Sequence, residues 1–369
     1  MINYISIKNF RCFEESTLKG FSSVNLIGGL NNSGKSALLE SILFLLSPQP
    51  ETIDLLNKYR NETFSKKRSI DKTWDYLFFN GNKSIPIILE TFNNKFNRGY
   101  SLKIEKSENK NFSKVSFYDK LKLSNNKGLE KALSDFEIFT EKENTIHSLD
   151  FYLSNEKDDN DFLGSFSFND SGKLTLLEFP EYILNEVAYR PAKQTLTDQQ
   201  ISKLLDISIE RGYFSDIINT IQIIDKSIED IRIIESRVHL SRNRVEYLPI
   251  GLFGDAITST LYMILTLFGL EEGGYLLVDE VENGIHHSKH SSFIQHITSL
   301  ALQRNIQIFM TTHSSEFITS FNNYRIENSL KEFSYIELAR TRNNQIVSNK
   351  LSPEVLSYKI ESGKDYRGE

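Results

Sequence analysis

The sequence predicts an α/β fold with a parallel core sheet, an antiparallel β lobe and a helical subdomain. A glycine-rich loop lies between an apolar strand at 24–28 and an apolar helix at 35–46. Far downstream, two short apolar runs at 275–278 and 306–310 flank a helical segment at 286–301. Short buried strands joined by a crossover helix pair in parallel, so these segments belong to one sheet with helices packed on it.

Periodicity and composition predict the remaining elements in chain order. Alternating residues at 2–8 predict a first strand, and β-rich runs at 85–122 and 148–178 predict hairpins. The other predicted elements are a strand at 184–189, helices within 196–235, two short strands between 238 and 249, and a helix at 254–270.

Composition limits the class of protein. The 369 residues, 39% of them hydrophobic, suffice for a sizeable core, and the net charge of −6 argues against a general basic field for nucleic acid. Contact with DNA or RNA remains open at the basic cluster Lys66, Lys67, Arg68 and Lys72, for which a solvated surface is the alternative. The single cysteine, Cys12, excludes an intramolecular disulfide and a cysteine-based zinc site.

The expected cellular compartment follows from the cysteine count and from the distribution of apolar residues. A chain with one cysteine fits a reducing cytoplasm. The first residues lack the charged start and apolar run of a signal peptide, and no apolar stretch approaches the roughly 20 residues that a bilayer crossing needs. We therefore expect a cytoplasmic protein with no membrane partner.

A phosphate-binding motif follows the strand at 24–28. The segment from Gly29 to Ser36 matches G-x-x-x-x-G-K-[ST] completely. Its glycines let the backbone curl into a nest of N–H donors, and the helix that begins there directs its free N–H groups and its dipole at the same anion. Lys35 would pair with the β- and γ-phosphates of ATP; the alternative is an ordinary glycine turn with a solvated lysine. The candidate ATP-binding residues of the loop are Gly29, Asn31, Asn32, Ser33, Gly34, Lys35, Ser36 and Ala37.

Two carboxylates and a histidine supply the other half of a candidate site. Asp279 and Glu280 directly follow the apolar strand at 275–278, at the edge where parallel sheets form their sites. Asp279, with the Ser36 hydroxyl, would hold Mg²⁺, and Glu280 would act as the general base on the attacking water. His313 follows the next strand and could reach the γ-phosphate. The catalytic candidates are Glu280, His313 and Lys35; the alternatives are a surface acidic pair and a structural histidine.

The spacing and flanking residues of these motifs resemble a known family. The phosphate loop and Asp279 are 244 residues apart, farther than in compact P-loop folds. The stretch at 9–13 with residues 37–40 resembles the N-terminus of RecF, SMC and OLD-like ATPases. Residues 279–286 resemble the Walker B and D-loop stretch of the OLD-like branch, and residues 312–314 resemble its switch-histidine loop.

The resemblance implies an ABC-type P-loop ATPase head over residues 1–369. Its expected regions are a phosphate-loop half at 1–50, a β-rich lobe and insert at 51–190, a helical insert with the signature region at 191–272, and a Walker B and switch half at 273–369. It also implies that Arg11 approaches the nucleotide, for which a surface salt bridge is the alternative.

Such heads form ATP sandwiches, in which the phosphate loop of one copy faces the signature segment of another. The resemblance places the candidate signature residues at Gly251, Phe253, Gly254 and Asp255, and the D-loop residues at Gly284 and His286. Relatives usually carry a serine near position 251, a glycine at Ala256 and often a basic residue near Ser259. These departures favour slow hydrolysis or a dimer that is stable without turnover.

The resemblance implies a function as well. We expect an ATP- and Mg²⁺-dependent regulatory ATPase that forms a homodimer or higher homo-oligomer in a prokaryotic antiviral defence complex, similar to Septu, PARIS or retron-linked systems. A separate effector, such as a nuclease or toxin, is expected because the chain ends too soon after His313 for a Toprim nuclease. The alternatives are a RecF-like DNA repair ATPase and a nucleotide-binding structural subunit without turnover.

Overall fold

The computed structural model describes residues 1–49, 52–53, 56, 74–93, 98–109, 146–155, 160–169, 174–176, 186–192 and 197–368. The basic cluster at 66–68 and 72 lies outside these residues. Within them, no helix combines the length and the apolar character that a bilayer crossing requires.

The strands form three sheets in the described part of the chain. In chain order they are β1 (Tyr4–Phe10), β2 (Phe13–Lys19), β3 (Val24–Gly29), β4 (Ile87–Asn93), β5 (Arg98–Asn109), β6 (Ile146–Asn155), β7 (Asn160–Asn169), β8 (Leu174–Leu176), β9 (Val187–Arg190), β10 (Asp230–Ile234), β11 (Arg237–Ser241), β12 (Leu248–Pro249), β13 (Tyr275–Val278), β14 (Gln307–Thr312), β15 (Phe333–Arg340) and β16 (Ile346–Leu351). The α-helices are α1 (Lys35–Leu46), α2 (Asp198–Glu210), α3 (Phe214–Ile224), α4 (Asp255–Gly269), α5 (His290–Gln303), α6 (Ser315–Glu327) and α7 (Pro353–Glu361).

The core sheet has the order β16-β15-β3-β14-β13-β9. Its strands from β15 to β9 are parallel, and β16 pairs antiparallel at one edge. Every residue of β3, β13 and β14 is buried, as expected for strands covered on both faces. The predicted parallel pairing of the runs at 275–278 and 306–310 is confirmed.

Alternation along the core strands divides the interior into two clusters. In β13, Leu276 and Val278 face a cluster built with helices α2 to α7. Tyr275 and Leu277 face the other side, where α1 packs with the antiparallel lobe. That lobe is a sheet of order β2-β1-β4-β5-β6-β7-β8, so antiparallel pairs are present in the described parts of the ranges 85–122 and 148–178. Residues 110–122 and 177–178 of those predictions lie outside the described residues.

One sequence-based prediction is wrong. The sequence predicts helices within 196–235, but helix α3 ends at Ile224 and residues 230–241 form the hairpin β10–β11. Residues 228–234 contain so many isoleucines that their spacing fits both the helical and the strand period. The hairpin turn is made by Glu235 and Ser236, whose φ angles of 50° and 62° are typical of a two-residue turn normally signalled by Asn or Gly.

Candidate functional site

The phosphate loop connects the end of β3 to the start of α1. Gly34 is the N-cap of α1 with φ 98°, and Asn32 has φ 65°, so the loop turns through two left-handed positions. A Cβ on Gly34 would lie 2.7 Å from the Ile346 side chain, which adds a steric reason for glycine there. No side chain caps α1. Its first N–H groups therefore remain available to an anion.

The Lys35 ammonium lies inside this loop. It donates hydrogen bonds to the carbonyl oxygens of Gly29 at 2.7 Å and Leu30 at 2.8 Å, and the residue is only 8% exposed. Burial lowers its pKa, while the negative charges of nearby carboxylates, Asp279 foremost, oppose that shift. The loop thus places a positive charge beside the two acids that follow β13.

Ser36 and Asp279 meet across the site. The Ser36 hydroxyl donates to Asp279 Oδ2 at 2.7 Å, and the Thr311 hydroxyl donates to Asp279 Oδ1. A hydroxyl and a carboxylate oxygen are hard ligands that suit Mg²⁺, which usually takes one or two protein ligands and completes its shell with water and phosphate oxygens. The described residues contain no group of three or more His, Cys, Asp or Glu placed to hold a metal by themselves. The donor set therefore fits Mg²⁺ bound together with a nucleotide.

Glu280 is held in an uncommon backbone conformation. Its φ is 50°, a left-handed value that is unfavourable for a residue with a Cβ. Its backbone N–H donates to the Thr311 hydroxyl at 2.9 Å, and its carboxylate accepts from Asn283 Nδ2 at 2.8 Å. These bonds orient the Glu280 carboxylate, which lines the cavity beside the phosphate loop. Thr311 and Asn283 are supporting residues that the sequence interpretation did not single out.

Glu282 positions the segment that carries His313. One Glu282 oxygen accepts from the backbone N–H groups of His313 at 3.0 Å and Ser314 at 3.2 Å, and lies 3.2 Å from His313 Nδ1. Glu282 is 9% exposed, whereas the His313 side chain is 48% exposed. The carboxylate therefore anchors an accessible imidazole. Glu282 lies within the motif at 279–286, but its role depends on the contact between two strand ends.

Arg11 forms a buried ion pair, which corrects the expected alternative of a surface salt bridge. Its Nε lies 2.9 Å from Glu40 Oε2, and the two side chains are 6% and 3% exposed. The guanidinium also stacks over the Tyr76 ring, with 5.0 Å to the ring centroid. Arg11 still borders the cavity next to the phosphate loop. Glu40, one turn along α1 from the loop, holds it in this place.

A cavity of about 830 Å³ adjoins the loop, within the range of small-ligand sites. Both Asp279 and Glu280 border it, as do several polar and aromatic residues that the sequence interpretation missed. Among these are Tyr76, Phe79, Asn80, Arg340, Asn343 and Asn344.

Most of the candidate ATP-binding residues face this cavity. Those that border it are Arg11, Asn31, Asn32, Gly34, Lys35, Ser36 and Ala37. Gly29 and Ser33 instead pack behind the loop, where a Cβ on Gly29 would lie 2.4 Å from the Ser33 hydroxyl.

The candidate signature residues lie at the start of α4, away from this cavity. Gly254 has φ 87° and precedes the first residue of the helix, Asp255. Gly251 and Gly254 have open space around them, and the neighbouring Leu252 is 71% exposed. Phe253 is partly buried, with the Arg242 guanidinium over its ring. Their action on a partner copy stays a prediction.

The D-loop packs against the same helix start. Gly284 has φ 79°, and a Cβ there would lie 3.2 Å from the backbone N of Ala256. His286 is exposed and caps a short turn by accepting from the Ser288 N–H at 3.3 Å. The close approach explains why a glycine is needed at position 284.

A basic residue does contact Ser259, although it comes from another element. The Arg190 guanidinium, at the end of β9, donates to the Ser259 hydroxyl. Burial lowers the pKa of Arg190 to about 10, so it stays protonated at neutral pH. Ser259 in turn donates to the Asn283 carbonyl at 3.1 Å. A hydrogen-bonded path therefore runs from α4 through Asn283 to the Glu280 carboxylate.

Sequence and structure comparisons found known proteins that are similar to this chain. A protein of Helicobacter pylori (strain ATCC 700392 / 26695) named ATP/GTP phosphatase is 26% identical over 330 residues, which cover 86% of each chain. Among solved structures, an SMC head bound to the C-winged helix domain of ScpA is 11% identical with a TM-score of 0.47, covering 95% of this chain and 97% of that one. The SMC head domain of Thermotoga maritima is 12% identical with a TM-score of 0.41, covering 95% and 99%.

The family model described as "AAA domain, putative AbiEii toxin, Type IV TA system" matches residues 24–319. That span includes the phosphate loop, Asp279, Glu280 and His313. The chain therefore belongs to this AAA-domain family and is an ATPase-type P-loop protein.

Proposed function

We propose that the protein binds Mg²⁺-ATP in the cavity beside the phosphate loop and hydrolyses it to ADP and phosphate. The observation that carries the proposal is the 2.7 Å contact between Ser36 and Asp279, which joins the loop to the acid strand. Lys35 and Glu280 border the same cavity. The name of the Helicobacter pylori relative, ATP/GTP phosphatase, supports the same chemistry.

The residues divide the reaction among them. Lys35 and the N–H groups at the start of α1 bind the β- and γ-phosphates. Ser36 and Asp279 would hold Mg²⁺, which would supply positive charge against the developing phosphate charge. Glu280 accepts a proton from water as the water oxygen bonds to the γ-phosphorus. The bond between the γ-phosphorus and the bridging oxygen breaks, and ADP leaves with that electron pair. His313, anchored by Glu282, stabilises the γ-phosphate oxygens.

We also propose that the active form is an ATP sandwich of two copies. The segment carrying Gly251, Phe253, Gly254 and Asp255 would meet the γ-phosphate bound by the other copy, with Gly284 and His286 at the contact between them. The exposure of Leu252 and the open space around Gly251 and Gly254 support this assignment. The four regions described from the sequence would then act as one ATPase domain.

The Mg²⁺ ligands give a direct test. Ser36→Ala should raise the Mg²⁺ concentration that half-saturates phosphate release by about tenfold or more, since it removes one charge-assisted contact worth about 1.5–3 kcal/mol. Phosphate release is measured against Mg²⁺ at saturating ATP. Ser41→Ala, a serine on the same helix that donates only to the Leu38 carbonyl, is the matched control. Equal Mg²⁺ dependence of both variants would remove Ser36 from the metal site.

The cellular role we propose is that of a regulatory ATPase subunit in a prokaryotic antiviral defence complex of OLD-like type. A separate effector, a nuclease or toxin, would be controlled by the nucleotide state. The toxin–antitoxin description of the family supports a partner of this kind.

Co-expression with the products of adjacent genes tests this role. We expect one of them, a nuclease or toxin, to form a complex whose activity changes between wild type and Glu280→Gln. ATPase activity that rises with DNA and falls steeply with salt would favour the RecF-like alternative instead. Absence of any such adjacent gene, together with DNA stimulation, would overturn the defence proposal.

A further inference from the structure

We propose a second ligand site that binds a small phosphate-bearing anion near the amino-terminal ends of the parallel strands, at the end of the core sheet opposite the phosphate loop. A cavity of about 620 Å³ lies there, bordered by the end of α6, the start of β15, the end of β16 and the start of α7. Phe333, which lines this cavity and begins β15, pairs with Val24 at the start of β3. The phosphate loop follows the other end of β3, so the two cavities lie at opposite ends of the same strand.

An unpartnered buried arginine lines this cavity. Arg325 is 4% exposed, and its Nε and Nη1 atoms have no hydrogen-bond partner among the described residues. Guanidinium groups stay protonated, and a buried cation without a hydrogen-bonded anion is costly. Burial lowers the pKa of Arg325, with the charge of Glu354 opposing the shift. The negative charge of a bound anion would offset this cost, because the Arg325 side chain lines the cavity.

Two lysines add positive charge to the same cavity. Lys331 and Lys350 line it with Arg325, and Glu354 is the acid among the lining residues. The formal charge of that lining is therefore +2. Lys350 Nζ donates to the Gly20 carbonyl at 2.7 Å, and its pKa is lowered by burial and by the positive charge of Arg325. Like charges are thus held together around one cavity, which favours an anion between them.

The chemistry of the lining favours a phosphate group. Arginine is a preferred partner of phosphate in proteins, and phosphate carries the higher charge that matches several cations. The amino end of α7 opens on the cavity at Ser352 and Pro353 and adds its dipole. Apolar side chains of Leu330 and Phe333 complete the wall. The volume exceeds that of one phosphate ion, so an attached sugar-sized group fits beside them.

Equilibrium dialysis of the Lys35→Ala variant, whose phosphate loop is disabled, isolates this site. Inorganic phosphate and ribose 5-phosphate are the two probes, at constant ionic strength. We expect one equivalent of at least one probe to bind, which identifies whether free phosphate or an organic phosphate is preferred. Adding Arg325→Met should weaken binding at least tenfold, since charge-assisted hydrogen bonds contribute about 1.5–3 kcal/mol each.

A second variant, at the exposed Lys331, tests the site in case Arg325→Met does not fold. Lys331→Ala should weaken binding severalfold, whereas Lys203→Ala, an exposed lysine on α2, should leave it unchanged. Replacing a buried unpaired charge with an apolar side chain of similar size is often neutral or stabilising, so Arg325→Met should unfold no earlier than its parent without phosphate. Failure of both probes to bind, or binding that neither Arg325→Met nor Lys331→Ala weakens, would overturn the proposal while leaving the ATP site untouched.

Discussion

Replacing Glu280 by glutamine should reduce steady-state phosphate release by about two to four orders of magnitude. Positioned general bases contribute roughly 10²–10⁴-fold to rate, and glutamine keeps the size and the contact with Asn283 but cannot take the proton from water. Phosphate release at saturating Mg²⁺-ATP measures the effect. Glu14→Gln is the matched control, because Glu14 borders the same cavity without a proposed catalytic role. An equal effect of the two changes would remove Glu280 from catalysis.

The same variant should accumulate the ATP-bound dimer. If hydrolysis separates the two copies, blocking it holds the sandwich closed, and light scattering after size exclusion would report twice the monomer mass. Adding Leu252→Glu should return the protein to monomer, because that residue is 71% exposed in the segment proposed to meet the partner. A protein that stays monomeric with ATP in the Glu280→Gln variant would contradict the sandwich.

The second large effect is expected at the phosphate loop. Lys35→Ala should weaken ATP binding by on the order of 10²–10⁴-fold, since it removes charge-assisted hydrogen bonds to two phosphates, each contributing about 1.5–3 kcal/mol. Equilibrium dialysis with ATP measures the affinity directly. Lys226→Ala, an exposed lysine in a turn of the helical region, should bind ATP like the wild type.

Thermal unfolding separates loss of binding from loss of fold. Lys35 is buried and donates to two loop carbonyls, so the alanine variant can shift the unfolding midpoint as well. If ATP raises the midpoint of wild type but not of Lys35→Ala, binding is lost in a folded protein. Affinity retained in the variant would refute the assignment of the phosphate loop.

Local sequence patterns were sufficient to predict the elements whose structure depends on neighbouring residues along the chain. Helix α1 spans the predicted residues 35–46, and β13 spans the predicted residues 275–278. These elements are recognisable from adjacent residues alone: apolar runs, a glycine-rich turn and a pair of acids at the end of a strand. The hairpin at 230–241 could not be predicted from local patterns, because its isoleucines fit both the helical and the strand period. Pairing between β10 and β11 decides in favour of strands.

The supporting contacts of the site could not be obtained in this way. Glu40 pairs with Arg11, Asn283 orients Glu280, and Arg190 at the end of β9 contacts Ser259 on helix α4. Each contact joins side chains whose distance depends on how the elements pack. A sequence motif identifies the side chains that take part in the chemistry, but it does not identify the residues that orient those side chains.

The amino-acid order alone therefore specified the strand–loop–helix for phosphate, the acids after β13, and the parallel sheet that must carry both. Packing decided that Ser36 and Asp279, 243 positions apart, come within 2.7 Å. It also decided that Arg325 Nε and Nη1 are buried without a hydrogen-bond partner among the described residues, beside a cavity that Lys331 and Lys350 also line. Hydrogen bonds and charge interactions act over a few ångströms in space, so their outcome depends on the folded chain and not on spacing in the sequence.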